Sequence, residues 1–242
     1  MKLGLCAIFK DERPYLAEWL EFYRGQGVDI FYLYDNDSTD GGGSRLGSDV
    51  QVTLWPGKSK QFSAYWDCLR HCGTEWLAFL DIDEFMYHPD GSTLLDMVAC
   101  HTPFSAIWAP WRMFGWGPHL TKPRGGVVES YLLRAADGHP HHEHAHGGKT
   151  IVRPEKVESF SNPHHYTMHG GPSVTDYDSG LLVNHYFTRS REEAKRKCAR
   201  GRPDLEAKRD WQTEFEDMNT EYITTRDERL AQLILRRLEV AV

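Results

Sequence analysis

The run Trp76 to Leu80 is apolar and ends abruptly in Asp81, Asp83 and Glu84. Carboxylates at the end of a buried strand cost free energy unless something compensates them. Oxygen ligands suit hard cations such as Mn2+ or Mg2+, which commonly bridge protein carboxylates to the phosphates of a ligand. A bend at the strand end can aim Asp81 and Asp83 at one ion; a solvated acidic turn is the competing account. Two further polar groups follow apolar runs: Lys10 to Glu12 after Leu3–Phe9, and Asp35, Asn36, Asp37, Ser38 and Asp40 after Ile30–Tyr34. A carboxylate and an amide suit recognition of a ribose or base, although Asx and Ser residues also build ordinary turns.

Later in the chain His185, within "VNHYF", is a candidate third metal ligand, because neutral imidazole binds Mn2+. A buried core histidine is the alternative, and His164 and His165 are rival ligands. Lys149 and Arg153 flank "TIV" and suit a diphosphate, Arg153 through bidentate contact. Arg189, Lys195, Lys197 and Arg200 form a basic patch that reads mostly as a solvated helix face, with some of its members suited to phosphate. The tract "HPHHEHAH" at 139–146 reads as a loop, with adventitious metal chelation as its other reading. Chemistry that activates a hydroxyl would need a general base; Glu129 and Asp176 are named for it, with Glu143 and Asp178, and Glu84 beside the acidic pair, as further candidates that the sequence does not separate. Trp108, Trp111, Phe114 and Trp116 suit either a sugar-stacking platform or core packing.

Positioning these groups requires alternating elements. Pro14 opens a helical pattern through Leu16, Trp19, Leu20 and Tyr23 that stops at Gly27. Strands are expected at Ile30–Tyr34, Val50–Leu54 and Trp76–Leu80, with a helix over "FSAYWDCLRHCG" and another over "STLLDMVACH" capped by Ser92. Further strands are expected at Ser105–Arg112, Val127–Arg134, Thr150–Val152 and Leu181–Phe187, with helices dominating from Arg191 onward. This is an α/β pattern. Ligands of open α/β sheets bind beyond the carboxyl ends of the strands, where strand order reverses. Three polar groups at three strand ends argue for one site there.

The 242 residues are 40% hydrophobic and carry a net charge of -7, so bulk charge gives no support for a nucleic-acid partner. The five cysteines lack framework spacing, and reduced thiols in the cytoplasm are the simplest reading. The apolar run before Lys10 is short for a signal peptide, and no stretch of ~18 apolar residues predicts a membrane helix. Leu230, Leu233, Ile234 and Leu238 share a helical face that packs on the body or, alternatively, makes peripheral contact with the inner face of a membrane.

Taken together, "CAIFKDERPYLAEWLEFYRGQGVDIFYLYDNDSTD", then Gln61 and "AYWDC", then "EWLAFLDIDEF", resemble the nucleotide-sugar glycosyltransferases of family 92 and their bacterial family 2-like relatives. "KTIVRPEKV" and "VNHYFTRSREEAKRKCARG" resemble the C-terminal half of that family, so the likeness runs in order from Leu5 to Gly201. It implies a GT-A fold: a Rossmann-like α/β/α sandwich with a mixed central sheet and C-terminal helices. It implies one glycosyltransferase domain over 1–242, with a nucleotide-binding half at 1–102, an acceptor-side half at 103–201 and helices at 202–242. The donor would be a UDP-sugar, the cofactor Mn2+ (or Mg2+), the acceptor a glycan or lipid-linked hydroxyl, and the outcome inversion. By position, Asp81 and Asp83 match the metal-binding DxD, with His185 as third ligand. Asp35 matches the nucleoside contact, beside Asn36 and Gln61, while Lys10 and Glu12 lie in the first nucleotide-binding loop. "KDE" stands where "KNE" is commoner, which leaves Asp11 without a role. The alternatives are a HAD-like metal-dependent phosphohydrolase, which places its DxD on the first strand, and a nucleotide- or glycan-binding module without turnover.

Overall fold

The computed structural model describes residues 1–44, 46–136, 147–174, 179–200 and 209–240. The first half runs β1 (Leu3–Phe9), α1 (Arg13–Gly25), β2 (Ile30–Asp35), β3 (Val50–Leu54), α2 (Gln61–His71), β4 (Trp76–Phe79), β5 (Glu84–Tyr87) and α3 (Leu94–Cys100). Then follow β6 (Ala106–Met113), α4 (Val127–Ser130), β7 (Leu133–Ala135), β8 (Gly148–Val152), β9 (Val157–Asn162), β10 (His165–Met168) and β11 (Ser173–Val174). β12 (Leu182–His185), α5 (Arg191–Arg200), β13 (Ile223–Arg226) and α6 (Arg229–Val240) complete the chain.

The α/β class and mixed central sheet expected of this sequence are present. The main sheet has the order β3-β2-β1-β4-β8-β6-β12-β5, with β11 added beside β6. β1 is parallel to both β2 and β4, and β2 to β3, whereas β8 runs antiparallel to β4 and β6. β1 is buried along its whole length, because helices cover both faces, and this explains its unbroken apolar run. Leu3, Leu5, Ala7 and Phe9 face a core shared with Leu16, Trp19, Leu20 and Tyr23 of α1. Cys6 and Ile8 point the other way, toward Ala64, Tyr65 and Cys68 of α2. The chain places β2 and β3 on one side of β1, then crosses to lay β4 on the other. That reversal between β1 and β4 is the switch point at which the exits of β1, β2 and β4 meet.

Two local expectations are corrected. Val127–Arg134 is not a single strand: Val127–Ser130 form a helical turn and only Leu133–Ala135 are extended. The Glu18 carboxylate accepts the amides of Val127 (2.7 Å) and Val128 (3.1 Å), an anion at a helix start that overrides the β preference of two valines. Thr93, not Ser92, caps α3, its Oγ1 accepting the Asp96 amide at 3.1 Å. Helices dominate the described residues after Arg191, as expected, with the short strand β13 paired antiparallel to β7 among them. The apolar side of α6 packs on the main core through Leu230, Leu233 and Ile234. Among the described residues, no helix is long and apolar enough to cross a membrane.

Candidate active site

Glu84 organises the acidic turn at the end of β4. It and Lys149 are both 0% exposed at the side chain, with Lys149 Nζ 3.2 Å from Glu84 Oε2 and 2.9 Å from Asp81 Oδ2. The Asp81 amide donates to Glu84 Oε2 and the Trp111 indole to Oε1, each at 2.8 Å. Burial pushes the Glu84 carboxyl up to about 8, against the pull of Lys149. Burial also opposes the Lys149 charge, yet Asp81 and Glu84 hold the ammonium above the ordinary lysine value. Three donors converge on Glu84, so the arrangement is built for the anion and we assign a charged pair.

The turn backbone is pinned from α1. Trp19 Nε1 donates to the carbonyls of Asp81 and Glu84 at 3.1 Å, and Tyr23 OH to that of Glu84 at 3.0 Å. Gln61, the first residue of α2, donates to Asp81 Oδ1 at 3.2 Å. Asp81 and Asp83 therefore part company: Asp81 turns toward Lys149, and Asp83 toward His185 and Lys197. Lys197 Nζ lies 2.5 Å from Asp83 Oδ2, and His185 Nε2 lies 3.5 Å from Asp83 Oδ1. Burial alone would raise Asp83, but Lys197 and His185 hold it well below the usual carboxylate range. Burial draws Lys197 down from the usual lysine value, while the short contact with an ionised Asp83 keeps it a cation. Burial also lowers His185, against the pull of Asp83, so its imidazole is neutral at pH 7.

Register explains His185. β12 pairs antiparallel with β5, which follows the acidic turn directly, and places His185 opposite Glu84. His164 instead bonds the Gly148 carbonyl at 3.1 Å and sits edge-on to Trp111, while His165 stacks over Trp108. Burial, then the Lys149 charge, pushes His164 down to about 2, so it too is neutral.

The exits of β1 and β2 are latched together. Asp11, at φ +54, accepts the Thr39 amide at 2.7 Å, and its own amide donates to Ser38 Oγ at 3.0 Å. Asp11 thus has a structural role, fastening the first loop to the Asp35–Asp40 loop. Asp35 Oδ1 accepts the Ser38 amide at 2.8 Å. Asn36 donates to the carbonyls of Trp55 and Gly57 at 2.8 and 2.7 Å, so its amide shapes the exit of β3. Glu12 receives Arg189 Nη1 at 2.7 Å and Arg200 Nη2 at 3.3 Å, and Arg200 also donates to the Lys10 carbonyl. The first loop is thereby tied to α5, beside the acidic turn that holds Lys197.

Other expected residues have partners of their own or fall outside the described residues. Arg153 is not brought to the acidic turn: it donates to the carbonyls of Phe104 and Thr102 and lies over the Trp76 ring. β8 runs antiparallel to β4, so Lys149 reaches the exit end of β4 while Arg153, four residues on, reaches its entrance. Glu129 accepts the Gly126 amide at 2.9 Å, capping its own turn. Glu143, Asp176 and Asp178, with the 139–146 tract, lie outside the described residues. Phe114 and Trp116 are core residues, packed on Tyr186 and Trp211. The anchoring roles of Trp19, Tyr23 and Trp111 escaped sequence reasoning. Their signal was an apolar helix or strand face carrying side chains with a polar tip.

Two carboxylates and a neutral imidazole are a donor set suited to Mn2+. Among the described residues, no three His, Cys, Asp or Glu side chains enclose an ion as they stand. The pair that fits one is Asp83 with His185, provided that Lys197 gives up its oxygen.

The family model of glycosyltransferase family 92 matches residues 2–233. A glycosyltransferase family 92 protein of Oryza sativa subsp. japonica is 29% identical over 196 residues, 75% of this chain and 32% of that protein. One from Ricinus communis is 30% identical over 200 residues, 76% of this chain and 35% of that protein. The chain thus spans about a third of the length of these relatives. Among solved structures, the mannosyltransferase PcManGT from Pyrobaculum calidifontis, in complex with GDP-Man and Mn2+, aligns with TM-score 0.36 and 23% identity. That alignment covers 46% of this chain and 36% of that one. TarS of S. aureus aligns with TM-score 0.40 and 14% identity over 64% of this chain and 47% of that one. With residues 2–233 of its 242 matched, the chain belongs to glycosyltransferase family 92.

Proposed function

We propose that the chain is the donor-binding and catalytic core of a glycosyltransferase with a GT-A fold, moving a sugar from a UDP-sugar to a glycan hydroxyl with inversion. The observation that carries this reading is the meeting of the β1, β2 and β4 exits at one switch point, with Asp83 against His185. The Asp35 loop at the exit of β2 is the seat proposed for the nucleoside, and the cations Arg189, just before α5, and Lys197, in its last turn, that for the diphosphate. In inverting transfer the acceptor oxygen bonds to the anomeric carbon as the bond to the nucleoside diphosphate breaks, and a base takes the hydroxyl proton. Mn2+ or Mg2+, when bound by Asp83 and His185, supplies positive charge for the leaving diphosphate. Lys149 and Glu84 keep the turn in place throughout, and Lys197 and Arg189 add fixed positive charge beside it. The phosphohydrolase alternative loses ground because the DxD follows β4 rather than β1.

Calorimetric titration of UDP, GDP and CDP into wild type and Asp83→Asn, with and without Mn2+, tests this. UDP binding that needs Mn2+ and weakens by about 10- to 100-fold or more in Asp83→Asn is expected, since even outer-shell losses cost that much. Folded wild type that binds no nucleotide would refute it.

A further inference from the structure

Beside the acidic turn, two cations converge on one aromatic ring. The guanidinium carbon of Arg189 lies 3.6 Å from the ring centroid of Tyr15, in the first turn of α1. The ammonium of Lys122 lies 4.3 Å from the same centroid. Arg189 is only 8% exposed, and its backbone sits at φ +52, a strained region for a long side chain. Its Nη1 donates to Glu12. Its Nε and Nη2 are buried and have no hydrogen-bond partner among the described residues. Buried donors of a charged group are ordinarily filled, because leaving them empty forfeits their hydration for nothing.

Those two nitrogens form one edge of the guanidinium, the edge that takes a two-oxygen anion side-on. Arg24 shows the same edge in use: its Nε and Nη2 hold the two carboxylate oxygens of Asp49 at 2.7 and 2.9 Å. At Arg189 no carboxylate of the described residues takes that edge, and the neighbouring ones are committed. Glu12 is shared with Arg200, Asp83 with Lys197, and Glu18, on the Lys122 side, accepts the Val127 and Val128 amides. Burial, then the Arg189 charge, lowers Lys122 from the ordinary lysine value, against the pull of Glu18.

We propose that Arg189 and Lys122, seated on Tyr15, form an oxyanion subsite that takes a phosphoryl or carboxylate group of a substrate, side-on at Nε and Nη2 of Arg189. The source of that group rests on the glycosyltransferase reading: it is either the donor's diphosphate or an acid group on the acceptor.

The test is calorimetric titration of pyrophosphate, uridine, UDP and glucuronate into wild type, Lys122→Met and Arg189→Gln. Lys122 is exposed, so its variant keeps the test open if Arg189→Gln fails to fold. A loss of about 10- to 100-fold in anion affinity, with uridine unchanged, is expected for a charge-assisted contact. If pyrophosphate and UDP weaken together, the group is the donor's diphosphate; if only glucuronate weakens, it belongs to the acceptor. Anions that bind both variants as they bind wild type, or that do not bind wild type, overturn the subsite. The two readings fail separately. UDP binding to wild type that neither variant alters, with glucuronate also unaltered, sinks the subsite alone. Pyrophosphate binding that Lys122→Met weakens, with no UDP binding to wild type, sinks the glycosyltransferase reading alone.

Discussion

Lys149→Met is the perturbation that most directly tests how the acidic turn is held. Methionine keeps the length and most of the volume of lysine, so the change removes a charge without opening a large cavity. Asp81 is half-exposed and can turn to water, whereas Glu84 has no exposed side-chain surface. The cost therefore concentrates at Glu84, left as an uncompensated buried carboxylate. Removing one partner of a buried pair costs about 3–5 kcal/mol. In a chain of this size each kcal/mol lowers Tm by about 2–4 °C, so a fall of about 6–20 °C is expected.

The pH dependence has a definite sign. Burial already raises the Glu84 carboxyl to about 8, with Lys149 as the first group opposing it. Without Lys149 the carboxyl rises further. An acid whose folded pKa is raised binds its proton more readily folded than unfolded, so its contribution is intact below the unfolded value and lost as pH rises through the folded one. The deficit of Lys149→Met relative to wild type should be largest near pH 9 and shrink toward pH 5. Carboxylates common to both proteins cancel in that difference. Denaturant melts of wild type, Lys149→Met and Lys149→Met/Glu84→Gln at pH 5, 7 and 9 measure it. The double variant should recover most of the loss at pH 9, because the amide carries no charge to strand. A deficit below about 1 kcal/mol, the worth of an exposed pair, or one independent of pH would refute the charged-pair assignment.

Lys197→Met should free Asp83 Oδ2 and tighten Mn2+ binding in the absence of nucleotide, read by calorimetry; weaker or unchanged binding would show that the ammonium does not compete for that oxygen. Gly148→Ala should destabilise the fold by about 1–3 kcal/mol, since an added Cβ would meet the Ala109 carbonyl and lie 2.6 Å from Trp108 Cε2 across the β6–β8 pairing. A denaturation midpoint equal to that of wild type would mean that β8 has room to shift, and with it the strand that carries Lys149.

What could be read from the sequence, and what could not, follows from the range of the forces involved. The alternation of β1, α1, β2, β3, α2 and β4 was legible because each element carries its own period or apolar run, and the polar exits could be named because charge cannot continue a buried strand. Val127 and Val128 misled because the deciding group, Glu18, lies 109 and 110 residues away. Arg153 misled because direction within a sheet is not written in a strand's composition: an antiparallel β8 sends residues four apart to opposite ends of β4. Picking Lys197 from "REEAKRKCAR" needs the phase of α5. That phase follows from the strained Arg189 and from Ser190, whose amide and hydroxyl both donate to Glu193. The DxD motif combines both cases. Its residues and their place at a strand end were local facts, but the expectation that both carboxylates aim at one point was not. The turn closes through the Glu84 amide on the Asp81 carbonyl at 3.0 Å and presents one aspartate to each of two lysines from different elements. A spacing of i and i+2 therefore specifies the two carboxylates, and the cations that meet them decide where each one points.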